Sequence, residues 1–182
     1  TLPDAVSVDE PDTALVAWIT HEERLFRTFE RYIVGKRLDD GFTGDNRVDD
    51  FVSYSLHVHN RRKSRAGSAL ENHMEYLLKE RHIRFERGAR TEGRAKPDFL
   101  FPSSREYHDR AFPVELLTML GSKTTAKDRW RQILAEADRI STKHLLTLQS
   151  GISGHQLLEM EAHHVIPVIP QGIRETYHPS LQ

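Results

Sequence analysis

The spacing of apolar residues changes near residue 84, and this change constrains the fold more than any other feature of the sequence. Upstream, over residues 14–34 and 67–82, apolar residues recur every three or four positions, the spacing of amphipathic helices. Downstream, short apolar runs are bounded by charged residues, glycine or proline, as is typical of buried strands. Helices followed by strands that alternate with helices predict an α/β fold, with a mixed central sheet flanked by helices.

The predicted elements have approximate bounds. We expect helices at 14–34 (with a break near Thr20), 49–59, 67–82, 124–141 and 154–163, and strands at 84–87, 97–101, 112–120, 144–148 and 165–169. Residues 1–13 are acidic, contain two prolines and lack periodicity, so we interpret them as a linker or disordered lead-in. Residues 14–182 form one domain in this interpretation, in keeping with a length of 182 residues.

Composition excludes several classes of protein. The sequence has no cysteine, which excludes a disulfide scaffold, thiol catalysis and a cysteine zinc site. No apolar run approaches the roughly 20 residues that a membrane-spanning helix needs, and no signal peptide is recognisable. We therefore expect a cytoplasmic protein without a membrane partner. Since the sequence begins with Thr1, we interpret it as a fragment that could lack an N-terminal partner domain.

Charge is distributed unevenly, although the net charge is only −1. The first fifty residues contain six basic and twelve acidic side chains, whereas residues 61–96 contain eleven basic and five acidic ones. Four of the basic residues, Arg61, Arg62, Lys63 and Arg65, fall at the predicted start of a helix, where backbone N–H groups and arginines both favour phosphate oxygens. The cluster is therefore suited to a phosphate backbone, and the alternative is a nuclear-localisation-like or merely solvated basic turn.

Two residues indicate a metal-dependent hydrolase. Asp98 stands between Pro97 and the apolar run Phe99–Phe101, which places a carboxylate at the start of a buried strand. Lys123 follows the next predicted strand, so the two side chains can meet at one edge of the sheet. Nucleases of the PD-(D/E)xK superfamily use such a pair, in which carboxylates hold Mg²⁺ and the lysine stabilises charge at the attacked phosphate. The alternative for Asp98 is an ordinary strand-end or turn aspartate.

The usual motif has a second acid two residues before the lysine, but Gly121 occupies that position. The predicted helix 124–141 offers a replacement. We interpret Thr125 and Asp128 as its N-terminal capping box. Glu136 lies at the flank of its apolar stripe, from which a carboxylate can reach the sheet edge. The alternative for Glu136 is a partly exposed member of a helical charge pattern.

The first turn of the same predicted helix carries Lys127, Asp128 and Arg129. An arginine can pair bidentately with guanine O6 and N7, and an aspartate can accept from the amine of cytosine. Neighbouring Arg and Asp side chains can therefore read a G·C base pair. The alternative is a set of first-turn charges in which Asp128 only caps the helix.

Four segments together resemble the catalytic domain of EcoRII-type restriction endonucleases, which are type II enzymes of the PD-(D/E)xK superfamily. These segments are residues 60–67 (NRRKSRAG), 96–102 (KPDFLFP), 121–133 (GSKTTAKDRWRQI) and 143–148 (KHLLTL). The resemblance extends from about Glu22 to Pro170, which is nearly the whole chain. It implies a restriction-endonuclease-like core.

The resemblance also implies roles for individual residues. Asp98 and Glu136 would bind the metal, Lys123 would be the catalytic lysine, and Glu71 would be an additional acid of the site. The segment Lys127–Arg129 would read C·G and G·C base pairs, although relatives commonly have arginine at the first of these positions.

The activity implied by the resemblance is Mg²⁺-dependent, sequence-specific cleavage of double-stranded DNA. The target would be a short CC/GG-flanked site (CCNGG- or CCWGG-like), and the products would carry 5′-phosphate ends. Several relatives flip the central bases out of the helix, for which the candidates by residue type are Trp18, Arg24, Arg27 and Tyr54. The alternative, which we favour for each of them, is a core aromatic residue or a surface arginine. A palindromic target favours a homodimer, and the alternative is a monomer that cuts one strand at a time. A further expected partner is a missing N-terminal regulatory DNA-binding domain.

Three other functions stay open at this point: a non-specific or repair-type nuclease of the same superfamily, a catalytically inactive DNA-binding module, and an α/β domain without a nucleic-acid role. The eleven histidines do not predict a zinc site. The close pairs His57/His59 and His163/His164 lack a third ligand nearby in the sequence.

Overall fold

The protein, described here from a computed structural model over residues 6–177, is built on one five-stranded sheet. The strands lie side by side in chain order: β1 (Glu86–Arg87), β2 (Phe99–Phe101), β3 (Thr118–Ser122), β4 (Lys143–Leu146) and β5 (Val165–Val168). Strands β1, β2 and β3 pair antiparallel, whereas β3, β4 and β5 pair parallel. The predicted α/β fold with a mixed central sheet is confirmed.

Helices flank the sheet. They are α1 (Pro11–Asp40), α2 (Arg47–Glu80), α3 (Ser104–His108), α4 (Gly154–Ala162) and α5 (Gln171–Arg174), with 3₁₀ helices at Val114–Leu116 and Lys127–Ala135. Helix α1 begins three residues earlier than predicted, and the first five residues of the predicted lead-in lie outside the described residues. In the described part of the chain, no helix is apolar over a stretch long enough to cross a bilayer.

The sheet separates two apolar layers because alternate strand residues point to opposite faces. The layer between the sheet and the two long helices contains Leu15, Trp18, Leu70, Leu77, Phe99, Leu120 and Leu146. The layer on the opposite face contains Leu100, Met119, Trp130, Ile133, Leu145 and Met160. The second layer carries the 3₁₀ helix that contains the predicted base-reading segment.

The predicted break in the first helix and the predicted gap between the second and third helices are both wrong. Helix α1 continues through Thr20, whose hydroxyl donates to the carbonyl of Val16 at 2.7 Å. Helix α2 runs without interruption through the polar stretch 60–66. That stretch stays helical because Arg62 and Arg65 form ion pairs with acids of α1. The basic cluster therefore lies in the middle of a helix, and the argument from a helix N-terminus fails.

The prediction of one helix over residues 124–141 is also wrong in its bounds and helix type. Only Lys127–Ala135 is helical, as a 3₁₀ helix whose N-cap is Ala126, and the expected capping box is absent. The side-chain oxygen Oε1 of Gln149 instead accepts from the N–H groups of Ala126 and Lys127, at 2.8 and 3.2 Å. A distant residue thus replaces the local cap.

Candidate functional site

Asp98 and Lys123 are in direct contact. The oxygen Oδ2 of Asp98 accepts hydrogen bonds from Nζ of Lys123 and from the backbone N–H of Ser122, both at 2.6 Å. The side chains are 17% and 14% exposed respectively, so the ion pair is shielded but reachable from solvent. Partial burial strengthens the attraction because less water screens it.

The strand register explains why these residues meet. Phe99 pairs with Leu120 in the antiparallel ladder between β2 and β3, which places Asp98 beside the end of β3. The backbone N–H of Lys123 donates to the carbonyl of Leu146 at 2.9 Å and so ties the lysine to β4. The juxtaposition predicted from the two strand ends is present.

Gly121 leaves no room for the acid that the usual motif has two residues before the lysine. A Cβ atom at this position would lie 2.6 Å from Cγ2 of Ile133, a distance that real Cβ contacts essentially never show. Ile133 is fully buried in the core and cannot move aside cheaply. The packing of the 3₁₀ helix on β3 thus excludes an acidic side chain at position 121.

Glu136 is the acid that occupies this region. It follows the 3₁₀ helix directly and has extended backbone, so the helical-wheel argument for its direction is wrong. Its oxygen Oε2 is buried and has no hydrogen-bond partner within residues 6–177. Burial raises the pKa of Glu136 to about 7; the negative charge of Asp98 adds to this rise, while Lys123 and Lys143 oppose it.

The turn that carries Glu136 is held by side chains from two other parts of the chain. Nζ of Lys143 donates to the carbonyl oxygens of Glu136 and Ala137. The hydroxyl of Thr91 accepts from the N–H of Ala137 at 3.3 Å, and Oε2 of Glu92 accepts from the N–H of Asp138 at 3.1 Å. Local sequence patterns do not single out these residues; a lysine before an apolar strand, for example, is normally a solvated flank.

Glu71 lies on α2 and forms an ion pair outside the Asp98–Lys123 contact. Its oxygen Oε2 accepts from Arg87 at 2.8 Å, and the same guanidinium also bonds Glu75 at 2.6 Å. Arg87 belongs to β1, the strand next to β2. The predicted role of Glu71 as an additional acid stays a prediction.

Two carboxylates, those of Asp98 and Glu136, are available for a divalent cation. Over residues 6–177, no group of three or more His, Asp or Glu side chains is arranged as a metal site. The unpartnered Oε2 of Glu136 nevertheless fits a cation, since a buried carboxylate oxygen without a donor is costly unless a positive charge compensates it. Magnesium usually needs only one or two protein carboxylates.

The segment Lys127–Arg129 opens the 3₁₀ helix at the protein surface. Asp128 is 96% exposed and bonds Arg131 at 3.2 Å. Arg129 is exposed as well. Two glutamines from the β4–α4 region fix the segment: Gln149 accepts from its first N–H, and Gln156 donates to the carbonyl of Lys127 at 2.5 Å. The side chains of this segment are thus displayed from a fixed backbone.

An open cleft of about 760 Å³ joins this segment to the basic cluster of α2. Its lining residues are Arg62, Lys63, Ser64, Ala66, Thr124, Thr125, Arg129 and Gln132. One lining residue, Thr124, follows Lys123 directly in the sequence. Its basic and hydroxyl side chains suit a polyanion such as DNA.

The four predicted backbone-contact residues divide into two kinds. Arg61 and Lys63 are exposed. Arg62 is bonded to Glu30, a carboxylate that is 3% exposed and whose pKa this bond lowers. Arg65 is bonded to Glu22 and Glu23. Arg61 and Lys63 are therefore accessible to a ligand, whereas Arg62 and Arg65 also hold α1 against α2.

The candidates for holding a flipped base differ in exposure and in their contacts. Trp18 is buried and packs edge-on against Tyr76, so it belongs to the core. Arg27 forms ion pairs with Glu23 and Glu30 on its own helix. Arg24 is exposed on α1.

Comparisons with known proteins identify the family of the chain. The family described as EcoRII C terminal matches residues 26–182. A relative, the type II restriction enzyme EcoRII of Escherichia coli, is 47% identical over 169 residues. That match covers 92% of this chain but only 41% of EcoRII, so the chain spans less than half of that relative.

Solved structures of restriction endonucleases share the fold. Metal-depleted Ecl18kI in complex with uncleaved, modified DNA superposes with a TM-score of 0.69 at 20% identity, covering 94% of this chain and 66% of Ecl18kI. A PspGI–substrate DNA complex gives a TM-score of 0.71 at 18% identity, covering 96% of this chain and 69% of PspGI. With the family match over most of its length, the chain belongs to the EcoRII C-terminal family and is a homologue of a type II restriction enzyme.

Proposed function

We propose that this chain is the catalytic domain of a sequence-specific, Mg²⁺-dependent endonuclease that cleaves double-stranded DNA. The observation that carries the proposal is the direct contact of Lys123 with Asp98, beside the buried and unpartnered carboxylate of Glu136. Two acids and a lysine at one sheet edge are the groups that phosphodiester hydrolysis requires. The Ecl18kI and PspGI structures are DNA complexes, which supports the same substrate class.

Asp98 and Glu136 would hold the magnesium ion. Bound there, Mg²⁺ would supply an activated water nucleophile and neutralise charge on the phosphate. That the Ecl18kI complex is metal-depleted is consistent with a metal requirement in the fold family. In this chain, Oδ2 of Asp98 is fixed by the N–H of Ser122, so its orientation does not depend on the cation.

Lys123 would stabilise the transition state. Its ammonium group has one acceptor in Asp98 and two remaining N–H bonds to offer to a phosphate oxygen. A bond from water oxygen to phosphorus would form while the bond from phosphorus to the 3′ oxygen breaks. The attacking water would release a proton to solvent and the 3′ oxygen would take one up, which leaves 5′-phosphate and 3′-hydroxyl ends. Glu136 must give up its proton before it can offer a charged oxygen, because its pKa lies near 7.

The cleft along α2 would bind the DNA. Arg61 and Lys63 would contact the phosphate backbone directly. Arg62 and Arg65, which are paired with acids of α1, would add positive charge to the same surface. Asp128 and Arg129 would read the outer C·G and G·C pairs of a CCNGG- or CCWGG-like site. Lys127 would contribute a single charged contact, since a lysine lacks the planar fork of an arginine.

A second copy of the chain would complete a palindromic site. Large apolar side chains of α1 and the start of α2 are exposed: Leu25, Phe29, Tyr32, Leu38, Val48, Phe51, Val52 and Leu56. Such a surface is costly in water and fits a partner of the same kind. We extend the proposal to an N-terminal regulatory DNA-binding domain, which the 41% coverage of EcoRII is consistent with. Light scattering with and without DNA tests the dimer.

Plasmid digestion tests the activity. Wild-type protein with Mg²⁺ is expected to give discrete bands, and Lys123→Ala or added EDTA is expected to abolish them. Lys96→Ala, which removes an exposed lysine near Asp98, serves as the matched control and is expected to cut normally. A smear or nicks lost in Lys123→Ala would instead indicate a non-specific or repair-type nuclease. Tight DNA binding without cleavage would indicate an inactive binding module.

A further inference from the structure

Lys143 is a buried cation without an acidic partner. Its side chain is 5% exposed, and in the described part of the chain no carboxylate lies within ion-pair distance of Nζ. The carboxylates of Asp138, Glu92 and Glu136 attract it only at longer range. Burying an ammonium group is unfavourable unless its three donors are used, so this position calls for an explanation beyond packing.

Two of the three donors of Lys143 bond the turn that carries Glu136. Nζ donates to the carbonyl oxygens of Glu136 and Ala137, the second at 2.6 Å. Ala137 has a φ of 52°, a left-handed conformation that alanine adopts only when its surroundings impose it. The lysine thus stabilises a strained turn directly beside the acid.

The backbone of Lys143 is itself rigid. It is the first residue of β4 and pairs with Val165 of β5, and its N–H donates to the carbonyl of His164 at 2.9 Å. The other end of β4 holds the catalytic lysine, because the carbonyl of Leu146 accepts from the N–H of Lys123. One strand therefore sets the position of both sides of the site.

We propose that Lys143 is a positioning residue for the proposed metal site, which fixes the turn that carries the Glu136 carboxylate. This inference rests on the proposed function and deepens it. A positioning role and a purely electrostatic role have opposite consequences. Removing a positive charge near two acids strengthens cation binding by electrostatics alone, whereas loss of the turn geometry weakens it.

The test is the Mn²⁺ affinity of the DNA-free protein, measured from the EPR signal of free Mn²⁺. Lys143→Met removes the donors and keeps the length of the side chain, and we expect its affinity to fall at least fivefold. Lys96→Met, the loss of an exposed lysine, controls for charge and is expected to stay within twofold of wild type. Urea unfolding shows whether the variants fold, and Lys143→Gln, which keeps amide donors, replaces Lys143→Met if the latter does not.

A second comparison separates positioning from general destabilisation. In the Glu136→Gln background, Lys143→Met is expected to cause no further loss of Mn²⁺ affinity, because the group that it positions is already disabled. Met160→Ala, a core change on the same face of the sheet, is expected to destabilise the fold without changing Mn²⁺ affinity. Magnesium-dependent cleavage by Lys143→Met should recover as the Mg²⁺ concentration is raised.

The outcomes separate this inference from the function on which it rests. If a folded Lys143→Met protein binds Mn²⁺ as tightly as the wild type, or more tightly, the positioning role is overturned. The nuclease proposal would stay intact. Equal losses in the wild-type and Glu136→Gln backgrounds would overturn it too. No Mn²⁺ binding by the wild type would overturn the metal site, and the positioning role with it.

Discussion

Glu136→Gln is expected to stabilise the metal-free protein at high pH while it abolishes metal-dependent cleavage. The folded state raises the pKa of Glu136 from its ordinary 4.5 to about 7, chiefly through burial. An acid whose pKa is higher in the folded state than in the unfolded state favours folding only while it is protonated. Ionisation of Glu136 therefore costs no folding free energy below about pH 4.5. The cost grows as the pH rises and reaches its full value above about pH 7.

The magnitude follows from the same shift. A rise from 4.5 to about 7 corresponds to at most about 3 kcal/mol at full burial. Because Glu136 is only half-buried, solvent screening reduces this to about 1–2 kcal/mol. Glutamine has the shape of the protonated acid and does not ionise. The stability advantage of Glu136→Gln over wild type should thus be about 1–2 kcal/mol larger at pH 8 than at pH 5.

Urea unfolding in EDTA at pH 5 and pH 8 measures this difference. Constant effects of the substitution, such as an imperfect amide fit, cancel between the two pH values. Glu115→Gln changes an exposed glutamate and controls for the loss of one negative charge. An advantage of Glu136→Gln that is the same at pH 5 and pH 8 would refute the reasoning, since it would mean that Glu136 ionises as easily in the folded protein as in the unfolded chain.

Other expectations follow from the packing and the contacts. Gly121→Asp, which restores the usual motif, should destabilise the fold by about 1–3 kcal/mol through overpacking against Ile133, and Ile133→Ala should partly relieve the loss in urea unfolding. Asp98→Asn should lower the single-turnover cleavage rate at least about a hundredfold, since a bound metal contributes several kcal/mol of transition-state stabilisation. Retained DNA binding in EDTA would show that the variant keeps its DNA-binding surface. Arg129→Ala should cost about 1–3 kcal/mol of discrimination between specific and mismatched sites in competition binding. The exposed Arg110→Ala is the control, and equal losses on both DNAs would argue against base readout.

The sequence was sufficient for the parts of the site that lie at strand ends. Asp98 and Lys123 each adjoin a short apolar run bounded by breakers, and neighbouring strands bring such ends together. The gap at Gly121 was also visible in the sequence. Its cause was not, because the contact with Ile133 depends on how the 3₁₀ helix packs across β3.

Other features were not predictable from local patterns. A polar stretch between two apolar patterns normally indicates a loop, yet residues 60–66 are helical because Arg62 meets Glu30, which lies thirty-two positions earlier. A helical wheel cannot describe Glu136, since the helix ends before it. Glu71 was selected by resemblance, and the structure pairs it with Arg87.

By itself, the sequence determined the α/β class, the mixed sheet, the strand ends that carry Asp98 and Lys123, and the family. These features depend on hydrophobic periodicity and on short contiguous motifs, both of which involve only residues close together in the sequence. Only the tertiary structure decided that two helices fuse into α2, that Glu136 extends from a turn, and that Lys143 holds this turn. Those outcomes depend on ion pairs and hydrogen bonds between elements, whose energies exist only after the chain has brought distant residues together.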